Sequence, residues 1–147
     1  KISYHIITDY WKDTGTPEDI INANRAILEN KTSYFYGEKS DESLITGTVL
    51  IGKGTKILGN SKIKGPAILG ENCIIENVSI GPNTSVGNNS KLHQCTIENS
   101  IIMEDCKIDS PIKIDKSIIS TNSQITNKNK ENENKIFLLG EGTRIIL

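Results

Sequence analysis

Residues 45–74 read ITGTVL IGKGTK ILGNSK IKGPAI LGENCI when written in sixes. The register continues through IENVS, IGPNTS, VGNNSK, LHQCT, IENSI, IMEDCK, IDSPIK, IDKSI and ISTNSQ. An aliphatic residue opens every unit: Ile45, Ile51, Ile57, Ile63, Leu69, Ile75, Ile80, Val86, Leu92, Ile97, Ile102, Ile108, Ile114 and Ile119. Four places later the residue is usually small, as at Thr55, Ser61, Ala67, Cys73, Thr84, Ser90 and Cys106. A period of six matches neither an amphipathic helix nor hairpins with turns at regular intervals. It suits a triangular coil in which each unit supplies one short strand and one corner. Three units then make a turn, and successive turns stack as parallel strands about 4.8 Å apart. The aliphatic points inward, the small residue fits the corner, and glycine or asparagine accepts a positive φ there. Each buried Ile or Val contributes roughly 1.5–3 kcal/mol, so close to five turns can hold their own core. Five-residue units such as IENVS and LHQCT drop an outward position without moving the aliphatic column.

Outside the repeat, TPEDIINANRAILEN (residues 16–30) predicts a helix. Thr16 is a good N-cap, Pro17 suits the first turn, and Glu18 and Asp19 favour its positive end. Its apolar face is read as Ile20, Ala23, Ile27 and Leu28. No sheet precedes the repeat to receive that face, so the helix is expected to pack on the open end of the coil. Between Thr126 and Lys135 the repeat lapses into the polar TNKNKENENK, expected to be a solvated loop. The terminal IFLLGEGTRIIL restores one hexad, Leu139 to Arg144, as a strand capping the last turn.

Composition narrows the function classes. Lys and Arg number 17 against 18 Asp and Glu, so charge does not point to nucleic acid or an anionic membrane. Aromatic residues are 5% of the chain, too few for a base-stacking platform. No apolar run approaches the roughly 20 residues of a membrane span. No signal peptide is recognised, and the chain reads as cytoplasmic. The cysteines, Cys73, Cys95 and Cys106, are odd in number and widely spaced, which fits reduced, buried thiols.

The hexads resemble the hexapeptide-repeat proteins, whose fold is a left-handed parallel β-helix. The handedness comes from that resemblance, since it departs from the right-handed crossover rule. HIITDYWKDTGTPEDIINANRAIL (residues 5–28) resembles the closing segment of the α/β nucleotidyltransferase domain of sugar-phosphate nucleotidylyltransferases. GPAILGENCIIENVSIGPNTSVGNNSKL, IENSIIMEDCKI and LLGEGTRIIL resemble, in order, the carboxy-terminal half of the long-form glucose-1-phosphate thymidylyltransferases. The resemblance implies a mainly β chain. Residues 1–40 would be a strand–helix remnant of the nucleotidyltransferase domain. Residues 41–147 would be the β-helix, with loop 126–135 and a terminal capping strand. The family's GxGTRLxPxT signature, catalytic lysine and first metal-binding aspartate are absent. The chain is therefore read as the tail of a longer enzyme, inactive alone.

That family joins dTTP and glucose 1-phosphate with Mg²⁺. By resemblance, Asp13 matches its second metal-binding carboxylate, and Trp11 and Gly15 shape the sugar side. One carboxylate seldom holds Mg²⁺ by itself, so here Asp13 reads as a turn residue before a capped helix, and no cofactor is expected in this chain. GEGTR (residues 140–144) imitates a phosphate loop, but no helix follows it and it fits a hexad. His93, one place after the inward Leu92, should point outward. It is the candidate base for an alternative class, an acetyl-CoA-dependent acyltransferase acting on amino-sugar phosphates at subunit interfaces. The PHLxYxGD-like stretch that carries the histidine in related archaeal bifunctional enzymes is missing, and a surface or subunit-contact role is the plainer reading. No cysteine–histidine spacing suggests zinc. Family precedent favours a homotrimer, and Ile68, Ile74 and Val78 are expected to leave apolar strips facing outward.

Overall fold

Each hexad forms one side of a triangle. The computed structural model describes residues 15–126 and, beyond them, the strands Asn134–Lys135, Leu138–Leu139 and Arg144–Ile146. The first sheet stacks Tyr34–Phe35, Val49–Ile51, Ala67–Leu69, Thr84–Val86, Ile101–Ile102, Ile118–Ile119 and Leu138–Leu139. The second stacks Glu38–Lys39, Lys56–Leu58, Ile74–Glu76, Lys91–His93, Lys107–Asp109, Gln124–Thr126 and Arg144–Ile146. The third stacks Leu44–Thr46, Lys62–Lys64, Ser79–Ile80, Thr96–Glu98, Lys113–Asp115 and Asn134–Lys135. The chain visits the three sheets in rotation and every pairing is parallel, so the whole is a parallel β-solenoid that matches a left-handed β-helix.

Inward aliphatics fall directly over one another. Ile51 pairs with Leu69, Leu92 with Ile108, and Ile97 with Ile114. Every aliphatic of the hexad column is buried except the half-buried Ile45 at one end, and Ile125 extends the column at the other. Shortened units keep their place, since Ile75 and Ile80 both reach the axis.

The corners follow the expected chemistry. Positive φ occurs at Gly47, Gly54 and Gly59, then at Asn72, Asn77, Asn83, Asn89, Gln94, Asn99, Asp105, Lys116 and Asn122. Short polar side chains tolerate that region by bonding locally. Small buried residues stack beside the turns and tie successive coils. Cys73 N–H donates to Thr55 Oγ1 (3.0 Å), Cys106 N–H to Ser90 Oγ (3.2 Å) and Ser117 N–H to Ser100 Oγ (3.0 Å). Val78 belongs to this set. It is buried, and its N–H donates to Ser61 Oγ (3.3 Å). The expectation that it faces outward is corrected: IENVS loses an outward position, which puts Val78 in the slot that serine or cysteine fills in neighbouring coils. Ile74 is exposed and Ile68 half-buried, both on outer faces.

The coil starts ahead of the expected boundary at residue 41. Tyr34–Phe35 and Glu38–Lys39 already pair with Leu50–Ile51 and Lys56–Ile57. The repeat is hidden there because Lys39 stands opposite Ile57, where an aliphatic would be read. At the other end, Thr126 lies in a strand and Asn134–Lys135 pairs with Lys113–Ile114, so strand pairing enters both margins of the expected loop 126–135. Beyond it, Leu138–Leu139 and Arg144–Ile146 extend two sheets, where one capping strand was expected.

The helix α1, Pro17–Glu29, forms as its signals predict, with Thr16 Oγ1 accepting from Asp19 N–H (3.1 Å). Its docking differs from expectation. Asn24 Nδ2 donates to the Asn83 carbonyl (3.3 Å) and Ser85 Oγ donates to Asn24 Oδ1 (2.6 Å), so α1 lies along the side of the first sheet and not on the open end. Leu28 is buried as expected, but Ile20 and Ile27 are exposed. The reason lies in the receiving surface. The outward column of the first sheet is Leu50, Ile68, Ser85, Ile101 and Ile118, without a charge, whereas the other two sheets face outward with lysines.

Candidate functional site

The second sheet carries the clearest constellation of chemical groups. Lys91–His93 places Leu92 on the axis, so Lys91 and His93 project outward on either side of it. Gln94, at φ 58°, then turns the chain. One coil on, Lys107–Asp109 repeats the pattern around Ile108, and the register sets His93 against Asp109. His93 Nδ1 and Asp109 Oδ1 stand 2.7 Å apart, with the two side chains 36% and 49% exposed. A neutral imidazole that donates Nδ1–H to this carboxylate presents its Nε2 lone pair outward. His93 thus points outward as expected. Asp109 was missed by sequence reasoning, although it follows Ile108 as His93 follows Leu92, and that shared place in the hexad is the signal that pairs them.

Exposed Lys56, Ile74, Lys91, Lys107 and Gln124 form the neighbouring column of the same face. On the third sheet, Lys113 Nζ meets Glu98 Oε1 at 2.6 Å, and that hydrogen bond raises the lysine pKa.

Gly15 is exposed, just ahead of the α1 cap. Trp11, Asp13 and His5 lie outside the described residues. Of GEGTR, Arg144 begins a strand paired with Gln124–Thr126, and residues 140–143 lie outside the described part. The three cysteines are buried, free and far from nucleophilic. Loss of hydration raises the pKa of each, and pushes Cys95 up to about 12. Among the described residues no group of three His, Cys, Asp or Glu side chains is placed to hold a metal ion, and no helix is long and apolar enough to cross a membrane.

Comparison with known proteins bears on the repeat region directly. The family model for the GMPPB C-terminal domain matches residues 73–145. A glucose-1-phosphate thymidylyltransferase of Streptomyces antibioticus is 38% identical over 65 residues, 44% of this chain and 18% of the relative. The same enzyme of Streptomyces griseus is 35% identical over 65 residues, again 44% and 18%. A low-salt glycan biosynthesis nucleotidyltransferase of Haloferax volcanii is 42% identical over 48 residues, 33% of this chain and 13% of that protein. The matches thus cover less than a fifth of the relatives' length. Among solved structures, the acetyltransferase domain of PglB from Neisseria gonorrhoeae aligns over 91% of this chain and 71% of its own, with 12% identity and a TM-score of 0.39. A Francisella novicida UDP-N-acetylglucosamine acyltransferase aligns over 64% and 54%, with 19% identity and a TM-score of 0.35. Over the matched segments this chain is a homologue of the glucose-1-phosphate thymidylyltransferases, and residues 73–145 correspond to a C-terminal domain of the GMPPB type.

Proposed function

We propose that the chain is the C-terminal region of a cytoplasmic glucose-1-phosphate thymidylyltransferase, which it serves as a structural and self-associating module. In the parent reaction an oxygen of the glucose 1-phosphate phosphate group attacks the α-phosphorus of dTTP, giving dTDP-glucose and pyrophosphate. The observation that carries this reading is the 38% and 35% identity to two thymidylyltransferases over 65 residues, together with the family match of the solenoid segment 73–145. Mg²⁺ neutralises the spreading phosphate charge in such transfers. Asp13 would be one of its ligands in the parent, and Trp11 and Gly15 would border the sugar. Incubating the chain with dTDP-glucose, pyrophosphate and Mg²⁺ is expected to release no dTTP. Release at a rate proportional to chain concentration would overturn the assignment of a non-catalytic module.

A second reading has support from the His93–Asp109 pair. In an acyltransferase the imidazole Nε2 would remove a proton from an acceptor amine as its nitrogen attacks the acetyl-CoA carbonyl. The C–S bond breaks and the CoA thiolate takes up the proton. Acetyl-CoA and glucosamine 1-phosphate supplied to the chain would discriminate: turnover abolished in His93→Ala favours this reading, and no turnover favours the first.

A further inference from the structure

Neither reading uses the cleft between α1 and the corners that join the third sheet to the first. It encloses about 380 Å³, with Glu18, Asn22 and Arg25 on the helix side and Asn83, Asn99 and Lys116 on the solenoid side. Three successive coils therefore contribute one residue each.

Lys116 is out of pattern. Every other described left-handed corner is glycine, asparagine, glutamine or aspartate, whereas Lys116 adopts φ 48° with a long side chain that gains nothing from that conformation. Residues held in unfavourable backbone regions collect where a ligand is contacted. Its ammonium has no hydrogen bond or ion pair among the described residues. Across the cleft, Arg25 gives Nε to Glu29 at 3.2 Å, which leaves its terminal nitrogens as donors. The solenoid wall beside Lys116 is an amide ladder. Asn83 Nδ2 donates to Asn99 Oδ1 (3.0 Å), and Asn99 Nδ2 donates to Asp115 Oδ1 (2.9 Å), which leaves Asn83 Oδ1 as an acceptor. Glu18 is the one carboxylate among the lining residues, and it is exposed.

Two cations lining one cleft beside a hydrogen-bonding wall suit a dianionic phosphate attached to a group with hydroxyls. The volume lies at the lower end of the roughly 300–1,000 Å³ of small-molecule sites. We propose that this cleft binds a small phosphate monoester. Lys116 and Arg25 hold the phosphate, and Asn22 and Asn83 meet the hydroxyls of the esterified polyol. The inference stands apart from both functional readings. Because the ligand would touch the helix and three coils at once, binding also fastens α1 to the solenoid.

Calorimetric titration of the full chain with glucose 6-phosphate, inorganic phosphate and glucose tests this. Saturable binding of glucose 6-phosphate is expected, with no binding of glucose and at least tenfold weaker binding in Lys116→Asn and in Arg25→Gln. Lys116→Asn installs the residue found at the same corner in the two preceding coils, so its melting temperature should not fall and lost binding cannot be ascribed to misfolding. Hydrogen exchange of the α1 amides should slow in the presence of glucose 6-phosphate. Absence of binding at millimolar concentration, or undiminished binding in Lys116→Asn, overturns the proposal. Equal affinity for inorganic phosphate overturns the contacts assigned to Asn22 and Asn83.

Discussion

Single residues in this solenoid are constrained by the coils above and below them. Gly52 shows how tightly: a Cβ there would come within 2.6 Å of the Gly70 carbonyl oxygen one coil on. Ser110 shows the converse, a position not yet optimised. Its hydroxyl is buried and has no hydrogen-bond partner among the described residues. Ser110→Ala is therefore expected to stabilise the chain by about 1 kcal/mol, read as a higher urea midpoint. Cys95 makes stability depend on alkaline pH. Burial raises its thiol from 9.0 to about 12, so the unfolded chain releases this proton at lower pH than the folded one. Stability from this group is complete below the unfolded value of 9.0 and falls as pH rises towards 12, with a slope of up to about 1.4 kcal/mol per pH unit. Cys95→Val, which copies Val78 in the adjacent coil, should flatten the loss in urea melts between pH 8 and 11.

At the scale of elements, strands and helix are held by different means. Each strand is only two or three residues long, and those inside the sheets owe their place to the inward aliphatic and to pairing on both sides. Ile97→Ala at the centre of the third sheet should cost about 2–5 kcal/mol, because a closed triangular coil cannot collapse into the gap. Hydrogen exchange should reveal the damage first in the coils bearing Ile80 and Ile114, its direct neighbours, since a solenoid transmits stability between adjacent turns. The helix instead relies on the buried Leu28 and on Asn24. Asn24→Ala removes both of its described hydrogen bonds to the solenoid and is expected to cost about 1–3 kcal/mol of docking energy. Faster amide exchange in α1, with no change in the solenoid amides, would confirm that the helix is a separately attached element.

Over the whole molecule, the three outer faces differ in polarity. The first sheet spends part of its uncharged face on α1, yet Ile68, Ile101 and Met103 still border an open groove of about 460 Å³. Ile74 on the second sheet and Leu44 on the third are exposed as well. Ile74 and Leu44 stand among lysines, so the groove on the first sheet is the apolar surface suited to burial against a further copy of the same chain. A homotrimer is expected in light scattering, with three times the 16.2 kDa chain mass. A monomer at micromolar concentration would remove that expectation.

The fold was legible in the hexad pattern because its determinants are local and repeated. An aliphatic every five or six residues fixes the axis, and Asn or Gly at the corners fixes the turns, so the burial of Ile51, Leu92 or Ile114 needs no knowledge of the remainder. The additional early coil was not legible, because Lys39 occupies a column position there and only backbone pairing reveals it. The candidate site was half legible. His93 could be read as outward from Leu92, whereas its contact with Asp109 depends on a side-chain approach across stacked coils. The docking of α1 was least legible. Ile20, Ala23, Ile27 and Leu28 form a plausible apolar stripe by themselves, yet of these only Leu28 is fully buried, and the side that docks includes Asn24. Tertiary structure settled that point, since only the assembled first sheet offers Ser85 to Asn24 beside an uncharged column. The sequence alone determined the coil, a short-range periodic property. What lies against its sides depends on surfaces that exist only after the coils have stacked.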